Sequence, residues 1–211
     1  MGIRSRVKKS LLNLVPSDRD RSTVAPLEMR RQRDVAVVIH TCDAYEFCWP
    51  GWHFHFSRHW NAEHNCNIYF ANESKRCNMP GVIHLPTGEG PWADRLITAL
   101  NALPEDYVFY LQEDFWPTRS VQLDRYYQVA RALDADALRV TSDSPYYSTY
   151  QPFDVGGVTV RRFSRRSRYL VTHAASLWKR NFLLSCLERG ESPWENELRG
   201  TQRLRRRDAK L

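Results

Sequence analysis

The chain has 211 residues, 42% hydrophobic and 12% aromatic, enough to bury one sizeable α/β core. Its net charge of +7 is placed unevenly: up to Arg33 nine Lys and Arg face three Asp and Glu (+6), and the rest has twenty-two against twenty-one (+1). That distribution argues against a nucleic-acid binder, and no apolar run reaches the about 18 residues of a membrane span.

The five cysteines, Cys42, Cys48, Cys66, Cys77 and Cys186, form no C-x-x-C pair and predict reduced thiols of a cytoplasmic protein. Three pieces are expected: a basic segment over 1–33, a domain over 34–204 and a basic tail over 205–211. In the first, Ile3, Val7, Leu11 and Leu14 share one helical stripe flanked by Arg4, Arg6, Lys8 and Lys9. Such a helix can lie peripherally on an anionic membrane surface, and a solvated tail is the plainer alternative.

Val35 to His40 is a near-continuous apolar run and predicts the first strand of a parallel sheet. Thr41 and Asp43 at its carboxyl end suit the base and ribose of a nucleotide. Tyr45 to Trp60 predicts a helix interrupted near Pro50-Gly51, followed by strands over Asn67–Ala71 and Val82–Leu85. His53, His55 and His59 with His64 and Cys66 are interleaved with aromatics and lack the spacing of a structural zinc site, so hydrogen-bonded histidines of a partly buried helix are expected.

Pro91 opens a helix whose apolar stripe is Trp92, Leu96, Leu100 and Leu103. In its first turn, Arg95 could contact a phosphate and Asp94 orient it or a sugar hydroxyl; a surface ion pair is the alternative. Tyr107 to Leu111 then predicts a strand buried on both faces, with Gln112, Glu113 and Asp114 directly after it. Acidic groups just beyond a strand end can hold a divalent cation and, through it, a diphosphate, although acidic turns also occur for solvation alone.

Beyond this lie a helix over Leu123–Leu133, a strand over Ala137–Val140 and the segment Thr141-Ser-Asp-Ser-Pro-Tyr-Tyr. An antiparallel strand is expected over Val155–Phe163, then a loop carrying Arg161, Arg162, Arg165, Arg166 and Arg168. Those arginines fit either a phosphate-bearing substrate or a solvated charge run. A strand over Tyr169–Ser176, a helix over Trp178–Leu187 and a last helix opened by Glu191-Ser-Pro-Trp-Glu-Asn-Glu-Leu complete the chain.

In this order the elements resemble the GT-A glycosyltransferases, in particular small bacterial enzymes of surface-polysaccharide assembly. The resemblance runs from about Val35 to Leu204. It is carried by the first strand, by Trp92-Ala-Asp-Arg-Leu, by Tyr-Leu-Gln-Glu-Asp-Phe in the Asp-x-Asp position, and by Leu177-Trp-Lys-Arg with Ser192-Pro-Trp-Glu-Asn-Glu-Leu. It implies an α/β, GT-A-like, mostly parallel central sheet flanked by helices, with a small antiparallel element. It also implies transfer of a sugar from a nucleotide-diphosphate-sugar donor to a hydroxyl of a glycan or lipid-linked acceptor, with inversion.

In the family the Asp-x-Asp turn positions the donor's ribose and a Mn²⁺ or Mg²⁺ on its diphosphate. Carried over, Asp114 takes the metal-facing position. Gln112 stands where the pattern has its first Asp, with Glu113 as its substitute. The general base is expected at Glu195, with Glu197 next. Ser192 and Pro193 place Glu195 at a capping-box position, and Trp194 is expected to desolvate it and raise its pKa. A nucleotidyltransferase is a rival, but Thr41-Cys-Asp-Ala-Tyr lacks that class's glycine-rich basic loop. A non-catalytic assembly protein on a transferase fold is the other.

Overall fold

The computed structural model describes residues 34–140 and 149–211. The amphipathic stripe within 1–33 and the whole Thr141-Ser-Asp-Ser-Pro-Tyr-Tyr segment lie outside the described residues.

Six strands form one sheet. Strand β1 (Val35–His40) lies at its middle, between β2 (Ile68–Asn72) and β4 (Tyr107–Gln112), all three parallel. Strand β3 (Ile83–Pro86) extends the parallel part beyond β2. On the other side β8 (Ser176–Lys179) runs antiparallel to β4, and β5 (Ala137–Arg139) runs antiparallel to β8. The order is therefore β3-β2-β1-β4-β8-β5. This mostly parallel sheet with helices on its faces fits the GT-A-like architecture expected from the sequence.

Alternation along the strands builds two cores, because successive side chains point to opposite faces. Val35, Val37 and Ile39 of β1, with Tyr107, Phe109 and Leu111 of β4, pack with α1 (Trp49–His59) and α3 (Leu123–Leu133). Val38, Val108 and Tyr110 face the other way, onto α2 (Trp92–Asn101) and α4 (Arg180–Cys186). Every residue of β1 is buried, which is why it reads as an unbroken apolar run. The last helix, α5 (Pro193–Leu204), makes a smaller core with Leu170, Val171 and Cys186.

Several boundaries differ from the sequence expectation. The chain after β1 first makes a 3₁₀ segment (Asp43–Cys48), and α1 begins at Trp49 with Pro50 in its first turn, so the proline starts the helix instead of interrupting it. The expected strand over Val155–Phe163 is a hairpin of β6 (Phe153–Val155) and β7 (Val158–Val160). Gly156 and Gly157 both have positive φ, 58° and 78°, at its turn, the backbone a tight hairpin connection demands.

Residues 169–175 do not form a strand. The N–H groups of Leu170 and Val171 donate to the Thr201 hydroxyl (2.9 and 3.1 Å), and that of His173 to Glu197 (2.9 Å). Helix α5 thus satisfies a buried loop that no strand pairs. Leu177 and Trp178 instead belong to β8, paired with Phe109 and Val108, so α4 starts later than the sequence suggests.

The segment 205–211, expected as a basic tail, is docked. The Phe163 N–H donates to the Leu211 carbonyl (3.0 Å), the Lys210 N–H donates to the Asp136 carboxylate (3.0 Å), and Leu211 packs against the core. All five cysteines are free thiols. Among the described residues no helix is long and apolar enough to cross a membrane.

Candidate active site

The order of the sheet reverses at β1: the chain moves outward through β2 and β3 and returns to the other side as β4. The carboxyl ends of β1 and β4, where His40 sits opposite Gln112, are thus a topological switch point, the place where open α/β sheets leave a ligand crevice. Thr41 and Gln112 to Asp114 lie here.

Glu113 and Asp114 have opposite environments although they are neighbours. Glu113 is buried, 8% exposed. Burial pushes its carboxyl up from the ordinary glutamate value, with Asp114 adding to the rise and the Thr41 hydroxyl and the Arg95 charge opposing it. Asp114 is exposed and takes no hydrogen bond or ion pair from any described residue. Thr41 is buried, its hydroxyl accepting from the Trp49 indole (3.1 Å). The turn after the doublet is fixed by Trp116, whose indole donates to the Glu113 carbonyl (2.8 Å) and stacks on His55 of α1 (5.1 Å). Gly51 allows this approach, since a Cβ there would come within 2.9 Å of the Trp116 ring.

Phe115, Trp116 and the residues to Val121 roof a cavity of about 380 Å³, floored by Phe109, Leu111 and Tyr126 and adjoining the doublet. A larger cavity, about 610 Å³, is lined by none of the strand-end residues.

Asp43, Asp94 and Arg95 are committed to the scaffold. The Asp43 carboxylate accepts from Asn72 Nδ2 (2.7 Å), Ser74 N–H (3.0 Å), Ser74 Oγ (2.8 Å) and Lys75 N–H (2.9 Å). Partial burial opposes its charge, but these donors prevail and hold its pKa down at about 2. Asp94 accepts from the Gly190 N–H (2.7 Å) and Arg189 (2.8 Å), contacts that lower its pKa. The Arg95 guanidinium is buried, donating to the carbonyls of Thr41 and of Gly90 (3.1 Å), with Glu73 at 3.7 Å. Its charge lies beneath the β1 turn instead of on a ligand-facing surface.

Helix α5 is brought to the same edge. The Ala93 N–H donates to the Glu191 carbonyl (3.2 Å), tying the start of α2 to the lead-in of α5. Behind it a buried circuit of rings, His40 to Trp92 (5.6 Å) and Trp92 to His173 (4.3 Å), ends where His173 Nε2 meets Asn196 Oδ1 (3.0 Å). Burial keeps both imidazoles neutral, with His40 well below the usual histidine range and His173 lowered to about 3.

Glu195 closes a capping box. It accepts from the Ser192 N–H (3.0 Å) and hydroxyl (2.9 Å), and its other oxygen meets Arg199 (3.3 Å). Its pKa is lowered, first by the Ser192 backbone bond. The expected rise does not occur because Trp194 is 72% exposed and shields nothing. Glu197 is held through one oxygen by Thr172 Oγ1 (3.1 Å) and the His173 N–H (2.9 Å). Its second oxygen has no partner among the described residues.

Sequence reasoning passed over Asn72 and Glu73. Asn72 ends β2 and Glu73 follows it, at the strand edge where Thr41 to Asp43 follow β1, so the same strand-end rule would have found them. The buried Glu191, which accepts from Asn196 Nδ2 (2.7 Å) and Arg203 (2.8 Å), left no local signal. Of the histidines, His64 is buried between Asp124 (3.0 Å) and the Val121 carbonyl (2.8 Å), and His53 bonds Ser57 (3.3 Å).

No family model and no curated protein matches the chain. Among solved structures it is similar to residues 1–349 of S. aureus TarS at 11% identity and a TM-score of 0.47, over 72% of this chain and 48% of that one. The same fragment in complex with UDP-GlcNAc matches at 10% identity, a TM-score of 0.47 and 72% and 47% coverage. The 2-C-methyl-D-erythritol 4-phosphate cytidylyltransferase of Thermus thermophilus matches at 15% identity and a TM-score of 0.46, over 81% and 84%. The chain thus spans about half the length of the TarS fragment. These are likenesses of chain path at low identity.

Proposed function

We propose that the β1/β4 crevice binds a nucleotide-diphosphate-sugar and that the protein transfers the sugar to a hydroxyl of a glycan or lipid-linked acceptor, with inversion. One observation carries this reading: at the switch point a desolvated Glu113 stands beside Asp114, an exposed carboxylate that no described residue engages. A carboxylate left unpartnered at that position is available to a ligand.

The donor set limits the metal. No group of three or more His, Cys, Asp or Glu is gathered among the described residues, so an ion held by protein alone does not fit. An ion shared with the donor's diphosphate needs only one or two carboxylates, and Asp114 supplies one. Mn²⁺ or Mg²⁺ bound there would offset charge on the diphosphate.

The remaining chemistry belongs to the chain. Thr41, Gln112 and Glu113 form the wall for the nucleoside, and Asp43 shapes the turn that carries Thr41. Arg95 and the Asp94–Gly190 contact hold α2 and the lead-in of α5 at this edge, and the Arg95 charge acts on the leaving diphosphate from below. Glu197, oriented by Thr172 and the His173 N–H, takes the proton from the acceptor hydroxyl as its oxygen bonds to the anomeric carbon. The bond from that carbon to the diphosphate breaks, and the nucleoside diphosphate leaves with the bonding pair. The apolar cavity beside the doublet suits the non-sugar part of an acceptor.

A panel of nucleotide sugars incubated with the protein, with Mn²⁺ or with a chelator, tests the reading. Release of free sugar and nucleoside diphosphate in the absence of acceptor is the expected result. Pyrophosphate formed from a nucleoside triphosphate and a sugar phosphate would identify a nucleotidyltransferase. No turnover of any donor, with no donor binding, would identify a non-catalytic protein.

A further inference from the structure

The larger cavity lies at the far side of the sheet from the crevice. Its wall includes Lys210, which is tied by its N–H to Asp136 just ahead of β5. Strand β5 runs parallel to β4, so Asp136 sits at the opposite end of the strands from Glu113. The cavity holds about 610 Å³, within the range of about 300–1,000 Å³ typical of small-ligand pockets.

Its lining combines two chemistries. Tyr150 and Phe153 are 61% and 40% exposed, presenting flat apolar rings at the cavity. Arg162, Arg165 and Arg166 are exposed beside them. The guanidinium groups of Arg162 and Arg166 have no partner among the described residues, and Arg165 is paired only with the fully exposed Asp208 (3.0 Å), a contact of little strength in water. The loop is anchored all the same. Arg205 at the end of α5 donates to the carbonyls of Arg165 (3.2 Å) and Ser167 (2.9 Å), and the Tyr150 N–H donates to the Arg162 carbonyl (2.9 Å). The backbone that carries these arginines is therefore tied down.

We propose that this cavity binds a short stretch of an anionic sugar chain, independently of the donor crevice. Guanidinium groups pair with phosphate, sulfate or carboxylate, and exposed aromatic faces cover the apolar faces of sugar rings. Gln151, Ser164 and Asp208 add acceptors for ring hydroxyls. Asp208 bears on the choice of polyanion through its acceptor oxygens: a carboxylate at the rim accepts from ring hydroxyls, which a sugar chain carries and the backbone of single-stranded DNA does not.

Binding to the full chain is read by fluorescence anisotropy with a heparin-derived hexasaccharide, without any donor, so the result does not depend on the transferase reading. The Arg162→Ala/Arg165→Ala/Arg166→Ala variant is expected to bind about tenfold or more weakly, and Tyr150→Ala/Phe153→Ala to bind more weakly as well. Asp208→Asn is expected to bind more tightly, a gain that misfolding cannot mimic. Maltohexaose, neutral and of equal length, is expected to bind far less. The proposal falls if the triple arginine variant binds the hexasaccharide like the wild type, because the charges over 1–33 then account for it. It falls equally if the hexasaccharide does not bind, or if maltohexaose binds as well. Single-stranded DNA of equal charge binding as tightly would make this a nucleic-acid surface. Phosphatidylglycerol vesicles captured through these arginines without hexasaccharide binding would make it a lipid surface.

Discussion

The carboxylates that follow β1 and those that follow β4 occupy equivalent positions in the fold and have opposite states. Asp43, after β1, accepts four hydrogen bonds from residues 72–75 and is fastened to the neighbouring loop. Asp114, after β4, is exposed and accepts none from the described residues. Position at a strand end therefore does not make a ligand group. Unused hydrogen-bonding capacity at that position does, because an occupied carboxylate would have to break protein bonds to bind anything.

The largest expected effect sharpens this contrast on the β4 side. Asp114→Ala should lower turnover by about 100-fold, the scale of losing a preorganised charge contact at a reacting group, with thermal stability unchanged. Glu197→Gln should cause a loss of similar size in transfer while donor affinity is kept. Unaltered turnover and unaltered Mn²⁺ response in Asp114→Ala, measured by steady-state kinetics over a metal titration, would remove the metal and diphosphate assignment.

The next effect lies on the β1 side and is one of stability. Asp43→Ala leaves donors of Asn72, Ser74 and Lys75 unmatched at a partly screened site, at a cost of about 2 kcal/mol. The sign with pH follows from the depressed pKa. Because Asp43 titrates at about 2 in the fold against an ordinary 3.8, its contribution is complete above about pH 4 and is lost as pH falls through about 2. Denaturant unfolding at pH 6 and pH 3 should show the wild type losing part of its advantage over the variant at the lower pH. An equal gap at both pH values would mean that the ionised carboxylate is not what fastens the loop.

How much of this was legible follows the same division. The two buried strands β1 and β4 declare themselves, because side chains covered on both faces leave an unbroken apolar run. The loop 169–175 also holds a buried apolar pair, Leu170 and Val171, and is no strand, since its backbone partners, Thr201 and Glu197, come from α5 about 25–30 residues away. The site divides likewise. Glu113 and Asp114 were visible from their place after a buried strand. That Asp94 and Arg95 face the scaffold depends on Gly190, Arg189 and the Thr41 carbonyl, contacts distant in sequence that no local pattern encodes.

Glu113 offers a smaller effect of opposite sign. Its pKa is raised in the fold, so the unfolded chain holds its ionised form more readily, and stability is lost as pH rises from the ordinary 4.5 through the folded value. At neutral pH Glu113→Gln should therefore melt slightly higher than the wild type, with the difference vanishing near pH 4. If Glu113 lines the donor site, the same variant binds the nucleotide sugar more weakly, the trade between stability and function common at such positions. A lower melting temperature at pH 7 would show that the carboxylate has a structural partner after all.

The smallest effect is expected at Glu195. Both its oxygens are occupied, one by the Ser192 N–H and hydroxyl and the other by Arg199, and these contacts favour its ionised form. A carboxylate so held is a poor proton acceptor, because taking a proton would weaken the cap of α5. Glutamine keeps the length and an acceptor oxygen for Ser192, so Glu195→Gln should lower the melting temperature only slightly and leave transfer nearly intact. Parallel transfer assays of Glu195→Gln and Glu197→Gln under saturating donor decide between the two carboxylates. If the Glu195 variant loses transfer while retaining donor binding and its melting temperature, the cap opens during the reaction and Glu195 is the base. If both variants transfer normally, neither α5 carboxylate takes the proton and an inverting displacement assisted from this helix is ruled out.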